Sequence, residues 1–179
     1  MPVGYDASAT PVLAPGHYAM TYDPVGATGA VNCGLVKGVR LLRGRHSYRM
    51  ITADQWGDSE LSGIYRGQNW SLQVTFKEWI AVVREAICPF AATAGDWGGM
   101  GTIGQLADAR GGPIVLTPVS GTPAATNGPT QITIHSATLA PENDVDIILG
   151  NEERDIPVLF KIWPTAQAGV VRFFTLTQP

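Results

Sequence analysis

WSLQVTFKEWIAVVREAICPF, residues 70–90, holds the change of period on which the fold turns. Trp70, Leu72, Val74 and Phe76 alternate with Ser71, Gln73 and Thr75, the two-residue period of a strand buried on one face. From Phe76 the apolar positions spread out. Phe76, Trp79 or Ile80, Val83, Ile87 and Phe90 recur at helical spacing, while Lys77, Glu78, Arg84 and Glu85 fall elsewhere. The pattern predicts a strand over 70–76 and a helix over 77–90. Pro89 and the breaker-rich TAGDWGGMGTIG at 93–104 end that helix.

Downstream, the text reads as strands and turns. Strands are predicted at Ile114–Val119, Gln131–Leu139, Val145–Leu149, Ile156–Trp163 and Val170–Thr177, divided by clusters rich in Gly, Pro, Asn and Asp. Upstream, Leu35–Leu42 reads as a strand with a basic continuation to Met50, and ITADQWGDSELSGIYRGQN at 51–69 reads as turn-rich. Residues 1–33 carry Pro2, Pro11, Pro15 and Pro24 without periodicity, and are read as an extended N-terminal arm. A single domain then covers 34–179. About seven short strands with one helix give a mainly β, α+β fold: two packed sheets, or a rolled β-sandwich or barrel, flanked by the helix.

Bulk properties agree. The 179 residues suffice for one core burying roughly 70% of the unfolded surface. With 21 Gly, 13 Pro and only 15% charged residues, the composition suits sheets and turns better than a helical bundle. A net charge of −3 does not mark the chain as a binder of nucleic acid or anionic membranes. Charge is nevertheless segregated. Lys37, Arg40, Arg43, Arg45 and Arg49 lie in a stretch without acids, whereas Glu142, Asp144, Asp146, Glu152, Glu153 and Asp155 face Arg154 alone. Two solvated faces and two complementary subunit surfaces both fit this pattern.

Catalytic chemistry finds little support. His17, His46 and His135 are far apart and show no ligand spacing with Cys33 or Cys88, so no metal is expected. The two cysteines read as free thiols in a reducing compartment. Gly99, Gly101 and Gly104 match G-x-G-x-x-G, but a helix is expected before them and only QLADARGG after, the wrong context for a dinucleotide site. Asp54, Asp58 and Glu60 sit in the turn-rich stretch, where acids cap turns through nearby backbone. Trp56 in DQWGD is either a core plug or an interface anchor, and the interface reading is preferred. Neither the segment MPVGYDASATP nor any apolar run suggests secretion or membrane spanning, so a soluble protein made in a cytoplasm is expected.

Three stretches in order, Ile51–Trp79, the helix with its Gly-rich exit, and DVDIILGNEERDIPVLFKIWPTAQAGVVRFFTLT at the end, resemble the major tail tube proteins of long-tailed bacteriophages. The likeness covers about Gly34 to Thr177 and does not include the proline-rich arm or Trp56. It implies a tail-tube-like fold, homohexameric rings stacked head to tail, and a hollow conduit through which DNA passes without specific binding. It also implies residence in the virion tail after assembly in the host cytoplasm, and contacts with tape measure, tail terminator and distal tail proteins. Neither an enzyme nor a cofactor is implied. Six protomers giving about four strands each would form a barrel of ~24 strands, more than the 16–18 that already leave an aqueous channel. Six copies at −3 give −18 per ring, in keeping with a lumen poor in Lys and Arg. Arg43, Arg45, Arg49, Asp54, Trp56, Asp58, Glu152, Glu153 and Asp155 are the expected contacts between subunits or rings. The competing expectations are a connector or tail-terminator ring, the tube of a bacterial contractile secretion device, and an enzyme holding a nucleotide at Gly99–Gly104.

Overall fold

The computed structural model describes residues 18–24, 29–44, 46–52, 60–91, 101, 103–119, 129–145 and 155–177. Its strands are β1 (Tyr18–Tyr22), β2 (Val31–Asn32), β3 (Val36–Arg43), β4 (Ser47–Thr52), β5 (Glu60–Gly67), β6 (Trp70–Phe76), β7 (Gly112–Pro118), β8 (Gln131–Leu139), β9 (Ile156–Ile162), β10 (Thr165–Gln167), β11 (Val170–Arg172) and β12 (Phe174–Thr177), with one α-helix, α1 (Ala81–Ile87). The fold is mainly β, and among the described residues it holds a large antiparallel sheet and one α-helix.

That sheet runs β2-β1-β7-β8-β9-β6-β3, with β12 also paired to β8. β8 gives one edge to β7 and divides the other, pairing Gln131–Ile134 with β12 and Ala137–Leu139 with β9. Trp70 and Phe174 meet edge-on across this fork, ring centroids 4.9 Å apart.

The sheet is rolled. Three inter-strand steps separate β1 from β9 along the sheet, roughly 14 Å, yet Tyr22 of β1 and Phe160 of β9 bring their rings to 5.8 Å. Phe76 joins them at 6.3 Å from Phe160. Alternation puts Met20, Leu72, Val74, Ile114, Leu116, Ile134, Val158 and Ile162 into the same interior, all with essentially no exposed surface. Burying each such side chain contributes about 1.5–3 kcal/mol.

A single stretch of chain brings the two ends of the sheet together. β2 pairs with β1, then after Cys33, Gly34 and Leu35 the chain continues as β3 and pairs with β6. Every pairing along the path is antiparallel, so β2 and β3 run in the same sense and amount to one strand that changes partner at a bend. Gly34 makes the bend with φ +71°, and a Cβ there would stand 2.5 Å from Glu78 Oε2. Asn32 Oδ1 accepts from Gly34 N–H at 2.9 Å, and Glu78 Oε1 accepts from Leu35 N–H at 3.0 Å.

Three expectations are corrected. The arm read over 1–33 gives way at Tyr18 to a core strand, because Met20 and Tyr22 are two residues apart and both fully buried; residues 1–17 lie outside the described part. The helix covers 81–87 rather than 77–90. At its start, Lys77 N–H still donates to Leu35 O at 3.0 Å, extending the β6–β3 ladder, and Ile80 remains extended. At its end, Cys88 precedes a proline and leaves helical geometry. Val82, Val83, Ala86 and Ile87 bury one face of α1 in the common core. The third correction is β5, which occupies much of the stretch read as turns. Leu149 and most of the strand expected at 145–149 lie outside the described residues, and Val145 itself is not in a strand.

Candidate assembly interface

β4 and β5 form a two-stranded antiparallel sheet of their own, in register from Ser47–Gly67 to Thr52–Glu60 with irregularities after Ser47 and Ile51. Among the described strands, none extends it. Successive strand residues point to opposite faces, and the adjacent pair Ile64 and Tyr65 remain 54% and 52% exposed. Both faces of the hairpin therefore carry a large apolar side chain in water. Arg49 stands opposite Ile64 and is exposed, as is Arg66. At the base, His46 and Tyr65 rings pack at 5.7 Å. A lone two-stranded hairpin is marginal in water, and three strands or a packing face are needed for it to stand independently.

The outer edge of β3 has a different character. Lys37, Arg40 and Arg43 are exposed along it, Gly38 has φ +65°, and the register shifts between Lys37 and Arg40. Positive charge and a bulge on an edge strand discourage indiscriminate pairing.

The acidic partner expected for this basic stretch is already engaged in part. Asp155, at the entrance to β9, forms an ion pair with Lys77 of its own chain. That hydrogen bond holds its carboxyl below the ordinary range against the opposing effect of desolvation, with the charges of Lys77 and then Lys37 adding to it. Of the expected contact residues, the structure places Arg43 at the end of β3, Arg49 on β4 and Asp155 beside Lys77. Arg45, Asp54, Trp56, Asp58, Glu152 and Glu153 lie outside the described residues. Ile64 and Tyr65 were not anticipated.

Elsewhere, Cys33 is buried and Cys88 half-buried, neither joined in a disulfide, and burial pushes the Cys33 thiol up to about 12. Tyr22 is likewise held protonated, first by burial. Among the described residues, no three His, Cys, Asp or Glu side chains gather as metal ligands. His135 Nε2 lies 2.8 Å from Thr175 Oγ1, tying β8 to β12. Trp163 Nε1 donates to the buried Thr138 Oγ1 at 2.9 Å. Among the described residues, Gly101 and Gly104 come after helix α1 and before the 3-10 turn Asp108–Arg110 and β7, with no strand directly before them and no α-helix directly after; Gly99 is outside the described residues. No described helix is long and apolar enough to cross a membrane.

No protein-family model and no curated protein matches the chain. Local geometry must carry the reading.

Proposed function

We propose that this chain is the repeating subunit of a self-assembling tube, a tail tube of the long-tailed phage kind, built from hexameric rings stacked head to tail. The observation that supports this most is the β4–β5 hairpin, whose two apolar-bearing faces and outer edges have no described strand against them within the subunit. Copies of the same chain supply what the hairpin lacks, by extending its sheet and covering Ile64 and Tyr65. A contact that joins unlike surfaces and does not close on itself produces a filament, which gives length without a template.

The reading assigns no catalysis and no cofactor. Its other partners are the proteins at the ends and centre of a tail, with DNA as passing cargo and the virion as the final location. Asp155 contributes to order within the subunit, and Arg43 and Arg49 remain contacts between copies.

Negative-stain microscopy and light scattering of concentrated protein test this directly. Rings of six times 19.0 kDa, about 114 kDa, or hollow filaments built from them, are expected. Rings that form and never lengthen would favour a connector or terminator, and a strict monomer would end the proposal.

A further inference from the structure

The two small sheets, β4–β5 and β10–β11, leave the large one at a single level. Arg43–Trp70–Ile162–Ala137 is a row on which β3, β6, β9 and β8 all pair. At the next position Gly44 N–H donates to Asn69 O at 2.7 Å, and beyond it β4 pairs with β5. On the β9 side of that row, Trp163 N–H donates to Ser136 O at 2.9 Å, while His135 N–H donates to Phe173 O at 3.4 Å. Trp163 and Phe173 thus bond to adjacent residues of β8. Residues 164–172 leave and rejoin a single ladder, of which β9 and β12 are the two halves.

That excursion carries the second hairpin. β10 and β11 pair from Thr165–Arg172 to Gln167–Val170, and Ala168 and Gly169 turn between them with φ +49° and +78°, the two positive values of a type I′ turn. Val170 and Val171 are 51% and 68% exposed. Being adjacent, they put an apolar side chain on each face, the arrangement that Ile64 and Tyr65 give β5. Cationic charge recurs as well. Arg172 is exposed beside Val171, Arg66 beside Tyr65, and Arg49 opposite Ile64. The one acid in these four strands, Glu60, stands at the far end of β5. None of the three arginines has an ion pair among the described residues, so both hairpins present cations to an anionic partner.

The same chain carries such a partner. β8 runs on from Ala137 to Leu139, Ala140 N–H donates to Leu159 O at 2.8 Å, and the chain then turns, with Asn143 N–H donating back to Ala140 O at 3.0 Å. Asn143 Oδ1 accepts from Leu159 N–H at 3.0 Å and fixes the turn on β9. Pro141, Glu142 and Asp144 are exposed, and neither carboxylate has a hydrogen bond or ion pair among the described residues. Unlike Asp155, these acids are held in place without a partner in their own subunit. We propose that the two hairpins together receive the turn Pro141–Asp144 of a second copy, their arginines pairing with Glu142 and Asp144 around an apolar centre. The proposal rests on the tube reading and adds which surface meets which. The two surfaces are unlike and belong to identical chains, as a filament requires.

Sedimentation of the full-length chain over a concentration series tests it. Arg66→Glu with Arg172→Glu, and separately Glu142→Arg with Asp144→Arg, are each expected to raise the concentration at which assembly begins about tenfold or more. Combining all four substitutions restores opposite signs across the contact and should recover most of that loss. Amide exchange at Leu72 and Phe160 should be unchanged in every variant, reporting an intact fold. Charge-reversed variants that assemble like wild type would overturn the proposal and leave the tube reading standing, whereas wild type that never assembles would overturn both. A loss on reversing the arginines, with none on reversing the acids, would assign the hairpins to another anion and also overturn it.

Discussion

Leu72, Val74, Phe76 and Phe160 in the rolled sheet have no exposed surface, whereas Ile64 and Tyr65 in the β4–β5 hairpin keep about half of theirs. Both regions are antiparallel strand pairs with unbroken ladders over several residues. The difference lies in what covers them. In the rolled sheet one face of each strand meets the others and α1 in a shared interior, so the subunit contains its own reason to fold. The hairpin has hydrogen bonds between its strands but no described core, and hydrogen bonds exchanged with water contribute only about 0.5–1.5 kcal/mol each. On the proposed function, stability belongs to the first region and association to the second.

The largest expected effect is in the interior. Phe160→Ala empties a site shared by the rings of Tyr22 and Phe76, and should cost about 3–5 kcal/mol in chemical denaturation. A loss under 1 kcal/mol would mean the roll is looser than described.

Next is the bend that closes the sheet. Gly34→Ala places a side chain at φ +71° against the Glu78 carboxylate, and a loss of about 1–3 kcal/mol is expected in the same measurement. Pairing it with Glu78→Ala separates the two causes: relief of part of the loss assigns it to the contact, and no relief assigns it to the backbone.

A smaller effect comes from Asp155. Its folded-state pKa is depressed below the ordinary 3.8, so the ion pair with Lys77 contributes stability above the unfolded value and loses it as pH falls through the folded value. Asp155→Asn should therefore be less stable than wild type at neutral pH and converge with it below the carboxylate range, by a margin that salt reduces. An unchanged gap at low pH would show that the carboxylate charge is not the cause.

On the stability of the isolated subunit, Ile64→Ser with Tyr65→Ser should have the smallest effect, within about 0.5 kcal/mol as for other surface changes. On assembly it should have the greatest, abolishing rings and filaments under conditions where wild type forms them.

The same contrast explains how much could be read from the sequence. β6 and β9 were legible almost to the residue because a strand with one buried face writes its burial as alternation, as Trp70 to Phe76 does, and β8 because turn-rich clusters bound it. β5 was not. In its ELSGIYRG the adjacent Ile64 and Tyr65 are both exposed, so they impose no period of two, and the glycines make the stretch resemble a turn. β1 was obscured by the prolines around it, although Met20 and Tyr22 already had the right spacing. The helix was recognised by its apolar face and overextended because Lys77–Ile80 continue a sheet contact that helical spacing cannot reveal. At the candidate interface, segregated charge pointed to Arg43, Arg49 and Asp155. It did not disclose that Asp155 has a partner in its own chain, since Lys77 is distant in sequence.

Backbone amide exchange across Ser47–Thr52 and Ile64–Gly67, compared between dilute subunit and concentrated assembly, tests the division of labour most directly. The account predicts weak protection in the dilute hairpin that rises strongly on assembly, while β6 and β9 are equally protected in both. Strong hairpin protection at every concentration would contradict it, because the hairpin would then owe its order to its own subunit.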